Sequence, residues 1–209
     1  MPPPRIVVST RAKLPTTYGV FEIYAFETED GRALDDVAVV NGEVAGHDDV
    51  PVRVHSECLT GDVLGSLRCD CGEQLHEALR RIGRAERGIV LYLRQEGRGI
   101  GIANKVRAYA LQDGGLDTVD ANRHLGFDDD LRRYDVAGAM LAALGVASIE
   151  LHTNNPQKVE GLREAGATVT RRVPLQVPAR AESRFYLDTK RRRFGHLLPG
   201  PPDADEPET

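Results

Sequence analysis

The chain has 209 residues, a formal net charge of −5, 41% apolar residues and 28% charged residues. That length suits one large domain, or one domain with a small appendage, and the apolar share is enough for a core. An acidic total argues against a nucleic-acid coat, and no apolar run is long enough to span a bilayer, although local basic clusters can still hold a small polyanion.

The start, MPPPRIVVSTRAK, lacks the apolar centre of a secretory signal, so a cytoplasmic protein is expected. Residues 1–50 read as antiparallel β structure: GVFEIYAF is β-rich, EDG turns, and DDVAVVNGEV returns. PVRVHSE (51–57) carries the sheet on to Cys58. From residue 72 the rhythm changes, and GEQLHEALRRIGRAER places Leu75, Leu79, Ile82 and Ala85 at helical spacing. GIVLYL (88–93) has the continuous apolar character of a strand covered on both faces. GIANKVRAYALQ (101–112) and YDVAGAMLAALG (134–145) predict helices, the second ending at Gly145. SIELHT predicts a strand, NNPQKVEGLREAG a helix with an asparagine cap and Pro156 in its first turn, and ATVTRRVPL a further strand. KRRR (190–193) falls within a last helix and reads as a solvated face, while PGPPDADEPET reads as a disordered tail. Alternation of helices with short buried strands predicts an α/β fold: a layered α/β/α core with a mixed sheet, preceded by an antiparallel β N-terminal segment. The expected divisions are 1–50 (β-rich), 51–175 (core), 176–198 (C-terminal helix) and 199–209 (acidic tail), the first three forming one unit, 1–198.

All three cysteines, Cys58, Cys69 and Cys71, fall in CLTGDVLGSLRCDCGEQL. Buried inert thiols are the plain alternative, but a segment carrying Arg68, Asp70 and Gly72 is too polar for a core strand. Three soft donors in one loop favour Zn²⁺ over hard cations. Spacing leaves two forms available: a closed structural site completed by His55 or His76, or an open one that keeps a position for water. Cys69 and Cys71 precede a predicted helix, whose N-terminal end stabilises thiolates. Glu57 could position a water there, or simply face solvent as a strand carboxylate.

YLRQEGRGIGIANK (92–105) is a strand, a glycine-rich turn with Gly97, Gly99 and Gly101, and a helix start. Such a turn lets backbone N–H groups approach an anion, and Arg94, Arg98 and Lys105 add charge. It lacks the Walker A spacing. ELHTNNPQK makes a similar junction with Thr153 and Lys158, where Asn154 and Asn155 read as caps. Two cationic strand ends beside a metal suggest a nucleotide pocket.

Taken together, RVHSECLTGDVLGSLRCDCGEQL, RQEGRGIG.ANK.RAYALQD, DTVDAN..LGF and HTNNPQKVEGL closely resemble the GTP cyclohydrolase II family, from about residue 13 to residue 198. The resemblance implies a riboflavin-pathway enzyme that hydrolyses GTP at C8 of guanine and releases formate and pyrophosphate. The product would be 2,5-diamino-6-ribosylamino-4(3H)-pyrimidinone 5′-phosphate. It implies one Zn²⁺ per subunit on Cys58, Cys69 and Cys71, Mg²⁺ on the triphosphate, and a homodimer. The implied GTP contacts are Arg53, Val54, His55, Ser56, Glu57, Gln74, Glu96, Gly97, Arg98, Thr118, Thr153 and Lys158. Within FDDDLRRYD, otherwise a solvated charge run, it assigns Asp130 as general base and Arg132 as a nucleophile at the α-phosphate. A guanidinium is a poor nucleophile, so stabilising negative charge is the easier task for Arg132.

Tyr109 shares the apolar side of its helix with Val106 and reads by itself as a core tyrosine. The family places it near the metal-bound water and guanine C8. Relatives with methionine there keep the formyl group, so Tyr109 implies loss of formate, with Tyr109 and Glu57 aligning water and proton. The alternatives are ring opening alone, a zinc-stapled nucleotide sensor without turnover, and service in a specialised pathway. Some relatives are fused to dihydroxybutanone phosphate synthase, for which this chain starts too close to its first motif. The acidic tail departs from the family pattern.

Overall fold

The computed structural model describes residues 5–128, 130–178, 180 and 183–198. Strands β1 (Ile6–Thr16), β2 (Gly19–Thr28) and β3 (Ala33–Asn41) form an antiparallel meander. β4 (Val50–Ser56) and β5 (Gly88–Leu93) follow, β5 pairing antiparallel with β3 and parallel with β4. β6 (Ile149–His152) and β7 (Val169–Val173) extend the parallel half. The result is one seven-stranded mixed sheet in the order β1-β2-β3-β5-β4-β6-β7. Sequence reading had not singled out β1, whose polar alternation and Pro15 suit an edge strand, where one face and one row of backbone groups meet water.

Among the described residues, six helices connect and cover these strands: α1 (Cys71–Arg84), α2 (Gly101–Asp113), α3 (Thr118–His124), α4 (Asp135–Ala143), α5 (Pro156–Glu164) and α6 (Arg184–Phe194). β5 shows how the layers arise. Ile89, Leu91 and Leu93 point to one face, against Met140, Leu141 and Leu162 of α4 and α5. Val90 points to the other, against Ala78 and Ile82 of α1, with Phe21 and Leu175. Both faces are therefore dry, and each fully buried side chain such as Ile82 contributes about 1.5–3 kcal/mol. The N-terminal meander shares this core, since Phe26, Ala38 and Val40 pack with α4 and α5.

Three junctions leave the carboxyl ends of parallel strands on one side of the sheet: Ser56 to Cys58, Leu93 to Arg98, and His152 to Asn155. Ligands of open α/β sheets gather there. Asn155 caps α5, accepting from Gln157 N at 2.9 Å, as expected. Asn154 does not cap: its side chain pairs with the backbone of Leu175, donating to O (2.6 Å) and accepting from N (3.1 Å). α3 was not foreseen from the sequence. Its seven residues are too short to show a period, although Asp117 is an effective cap, accepting from Val119 N and Asp120 N at 2.8 Å each. The acidic tail, 199–209, lies outside the described residues.

Candidate functional site

Cys58 leaves β4 and enters a five-residue π-helical turn, Leu59–Val63, while Cys69 and Cys71 lie just before and at the start of α1. The three Sγ atoms lie within 4.8 Å of one another, and those of Cys58 and Cys69 are 3.6 Å apart. Two thiolates on one tetrahedral zinc stand about 3.8 Å apart, so the donor set fits that ion. Gly61 keeps the cluster open: a Cβ there would lie 2.9 Å from Cys69 Sγ and 3.2 Å from Cys58 Sγ. Gly72 lets α1 approach that turn, since its own Cβ would lie 2.3 Å from Gly61 O.

Among the described residues no histidine or carboxylate joins this group. His55 Nε2 donates to Asp62 at 2.9 Å, and His76 stacks on Tyr18. Neither completes the set, so the open form of the site is the one these residues build. Asp62, which no sequence signal marked, organises the turn by also accepting from Cys58 N (3.0 Å) and Tyr92 Oη (2.9 Å).

Hydrogen bonds from Cys69 and Cys71, then the nearby Lys105, hold the Cys58 thiol far below its ordinary pKa. Cys69 is correspondingly pushed up to about 11, because Cys58 carries the shared charge. Lys105 Nζ donates to Cys58 Sγ (3.0 Å) and to Glu96 (2.7 Å). Glu96 in turn accepts from Leu59 N and Gly97 N.

Tyr109 is not a core tyrosine. It faces the cavity beside the cysteines, its hydroxyl 3.2 Å from Thr60 Oγ1 and its ring under the Arg68 guanidinium (4.8 Å). The helix side expected to be apolar is instead partly wet, with Val106 55% exposed. Glu57 also lines the cavity, held by Arg94 at 3.0 Å.

The glycine turn differs from a simple phosphate cradle. Arg94 is paired with Glu57 and Lys105 with Glu96 and Cys58, and the Gly97 N–H is taken by Glu96. What remains is Arg98. Its backbone is left-handed (φ 63°), which costs a non-glycine residue of order 1 kcal/mol, and its Nη1 is buried with no partner among the described residues. Leu131 N holds that turn by donating to Arg98 O at 3.0 Å.

Behind the cavity runs a buried polar chain. Arg53 donates to Gln74 (2.7 Å) and His152 O (3.0 Å), and Gln74 donates to Asp70 (2.5 Å). Burial lowers Arg53 to about 10. Lys158 is buried, donates to Val54 O at 2.7 Å, and is held well below the usual amine range by desolvation and by Arg53, Arg132 and Lys190. Val54 itself packs in the apolar core. Thr153 is buried, its Oγ1 accepting from Asn155 N at 3.1 Å. Thr118 opens α3, and its side chain lies outside the described residues. Arg132 Nε donates to Asp130 at 2.8 Å; although burial raises the Asp130 carboxyl, Arg132 outweighs it and holds the group below the usual range.

One cavity of about 350 Å³, within the range of small-molecule sites, gathers Ser56, Glu57, Glu96, Gly97, Arg98, Tyr109, Arg132 and the three cysteines. Arg53, Val54, His55, Gln74, Thr153 and Lys158 are not on its wall, and Asp130 lines an adjoining opening with Gln157 and Arg193. The wall also includes Tyr186, Lys190, Phe194 and His196, which sequence reading had missed. Lys190 belongs to the basic run read as solvated, yet is 7% exposed and paired with Asp70. The available signal was the four-residue interval linking positions 186, 190 and 194.

The family model described as GTP cyclohydrolase II matches residues 7–174. GTP cyclohydrolase-2 of Picrophilus torridus is 52% identical over 189 residues, covering 90% of this chain and 97% of that one. GTP cyclohydrolase-2 of Shewanella amazonensis is 52% identical over 188 residues, covering 90% and 91%. Riboflavin biosynthesis protein RibBA of Bacillus subtilis is 54% identical over 187 residues, covering 88% of this chain and 46% of RibBA, so this chain spans about half of that protein.

Proposed function

The chain belongs to the GTP cyclohydrolase II family of riboflavin biosynthesis, and from that membership we propose that it opens the guanine imidazole ring of GTP, releasing formate and pyrophosphate. The product is then 2,5-diamino-6-ribosylamino-4(3H)-pyrimidinone 5′-phosphate. The observation that carries this reading is the shared cavity, in which a three-cysteine cluster faces Tyr109 and the cations Arg98 and Arg132.

Cys58, Cys69 and Cys71 would hold one Zn²⁺ per subunit. Bound there, the ion supplies Lewis-acid activation of water near neutral pH. Tyr109, fixed by Thr60, would orient an attacking water at guanine C8 and hold a proton during ring opening. Glu57, just past the carboxyl end of β4 and fixed by Arg94, would do the same. The resulting formamide is cleaved in a second hydrolysis to formate. At the other end of the substrate, Arg98 and Arg132 face the charge that develops as the α–β phosphate bond is hydrolysed, one water being consumed overall as pyrophosphate leaves. Arg132 is a charge stabiliser, because its guanidinium stays protonated beside Asp130. Asp130, paired in this way, is a weak base, and we assign it the task of orienting Arg132. Mg²⁺ enters with the triphosphate as part of the substrate. Arg53, Lys158 and Gln74 support the cationic wall from behind.

We further propose a cytoplasmic homodimer. No helix among the described residues is long and apolar enough to cross a membrane. Two rival readings are ring opening that stops at the formylated pyrimidine, and a nucleotide sensor without turnover. A GTP assay following formate, pyrophosphate and ultraviolet absorbance, with and without a zinc chelator, separates them. Steady chelator-sensitive release of both products is expected. Retained formyl carbon would leave only the first hydrolysis, and absence of turnover would leave the sensor.

A further inference from the structure

Tyr186, Lys190 and Phe194 recur at four-residue intervals, share one face of α6, and all line the cavity that holds the cysteines. Their polar arrangement is not that of a packing seam. Lys190 Nζ donates to Asp70 Oδ1 at 2.5 Å and stands 4.5 Å from the Tyr186 ring centre. Phe194 lies 4.2 Å from the Arg98 guanidinium, the group whose buried Nη1 has no partner. A cation pressed on an aromatic face with an unanswered N–H is set to meet an anion.

The surroundings carry the same sign. His196, just past α6, lines the same cavity and faces Lys190, Arg132, Lys158 and Arg98. Burial, then those cations, lower its imidazole to about 2, so it stays neutral. Among the described residues, Asp70 and Asp130 answer these charges directly, through Lys190 and Arg132. α6 is anchored in place: Arg193 meets Asp117 (2.9 Å) and Asp120 (3.5 Å), and Leu197 N donates to Asn154 O at 2.9 Å.

We propose that α6 is part of the substrate site, with Lys190 contacting the polyphosphate of GTP and Phe194 positioning Arg98 for the same contact. This rests on the GTP reading above and extends it to a segment outside the residues matched by the family model, which end at 174. The polyphosphate is favoured over the base because the cations beside α6, Arg98, Arg132, Lys158 and Lys190, outnumber the carboxylates paired with them, Asp70 and Asp130, which suits an anion carrying several charges.

The test uses the full chain with its metal and the variants Lys190→Met, Lys190→Arg and Phe194→Leu. Binding of GTP and of GMP is measured by calorimetry, alongside KM, kcat, zinc content and melting temperature. Lys190→Met and Phe194→Leu weaken GTP by about tenfold or more and GMP by less than about threefold, and Lys190→Arg recovers most of the loss. Zinc content stays at the wild-type level. Unchanged GTP affinity, or equal losses for GTP and GMP, would overturn the proposal and mark α6 as structural. If removing the Asp70 partner unfolds the chain, Phe194→Leu leaves that ion pair intact and decides alone. Wild-type protein that neither binds nor turns over GTP would sink the reading of the site itself; active wild type with matching variants would sink only this inference.

Discussion

The ammonium of Lys105 lies 3.0 Å from the sulfur of Cys58 and is 9% exposed. A divalent ion held by the three thiolates would be a net negative centre, and its pull on a bound water would be blunted. Lys105 offsets part of that charge at Cys58, and Glu96, itself an anion, keeps the ammonium in place at 2.7 Å.

Lys105→Met removes that compensation. Zinc affinity, measured against a competing chelator, falls by about 10- to 100-fold. Alkylation of the metal-free protein moves to higher pH, because Cys58 loses the cation that favours its thiolate. Wild-type affinity in the variant would show that Glu96 and Lys105 merely pack.

Gly61→Ala places a methyl group 2.9 Å from Cys69 Sγ. Metal content falls well below one per chain, while the metal-free fold loses about 1–3 kcal/mol or less in urea unfolding. Cys69→Ser loses metal and ring opening together. A variant that keeps both zinc and activity contradicts the ligand assignment.

Thr60→Val leaves the Tyr109 hydroxyl without its partner at 3.2 Å. Formate release slows by about three- to tenfold with zinc content unchanged, and Thr60→Ser recovers the rate. Following formate against total ring-opened product shows whether the second hydrolysis is the more sensitive step.

Burial, and then Arg81, lower His152 to about 4 from an ordinary 6.5. The neutral ring is thus favoured in the folded state. This residue's contribution to stability is complete above about pH 6.5 and is lost as pH falls from there to about 4, where the unfolded chain takes up the proton first. His152→Asn flattens that part of the pH profile by an amount on the order of 2 kcal/mol, read as the difference in urea midpoints between variant and wild type at each pH. Parallel profiles for the two proteins would rule the residue out as a source of acid lability.

The core elements around the site were legible because their signals are local. GIVLYL carries the continuous apolar run of a strand dry on both faces, and the Leu75 to Ala85 spacing marks α1. Cys58, Cys69 and Cys71 sit close together in the chain, so proximity in sequence already implied proximity in space. α3 escaped, and β1 was covered only by the general β reading of residues 1–50, for the opposite reason: an edge strand needs little apolar pattern, and seven residues show too little period.

Charge pairing was not legible. Arg94, Arg98 and Lys105 look alike along the chain, but Glu57 and Glu96 neutralise two of them and leave the third facing the cavity. Likewise Lys190 reads as solvated until α6 docks and brings it to Asp70, 120 positions away. By itself the sequence determined the layered α/β plan, the clustering of the three cysteines and the cationic strand ends, since each depends on residues near one another along the chain. Tertiary structure alone decided which cations stay unanswered, which side of α2 presents Tyr109, and that the C-terminal helix walls the site. Those outcomes depend on contacts between distant segments, and the desolvation that makes them matter exists only once the segments have packed.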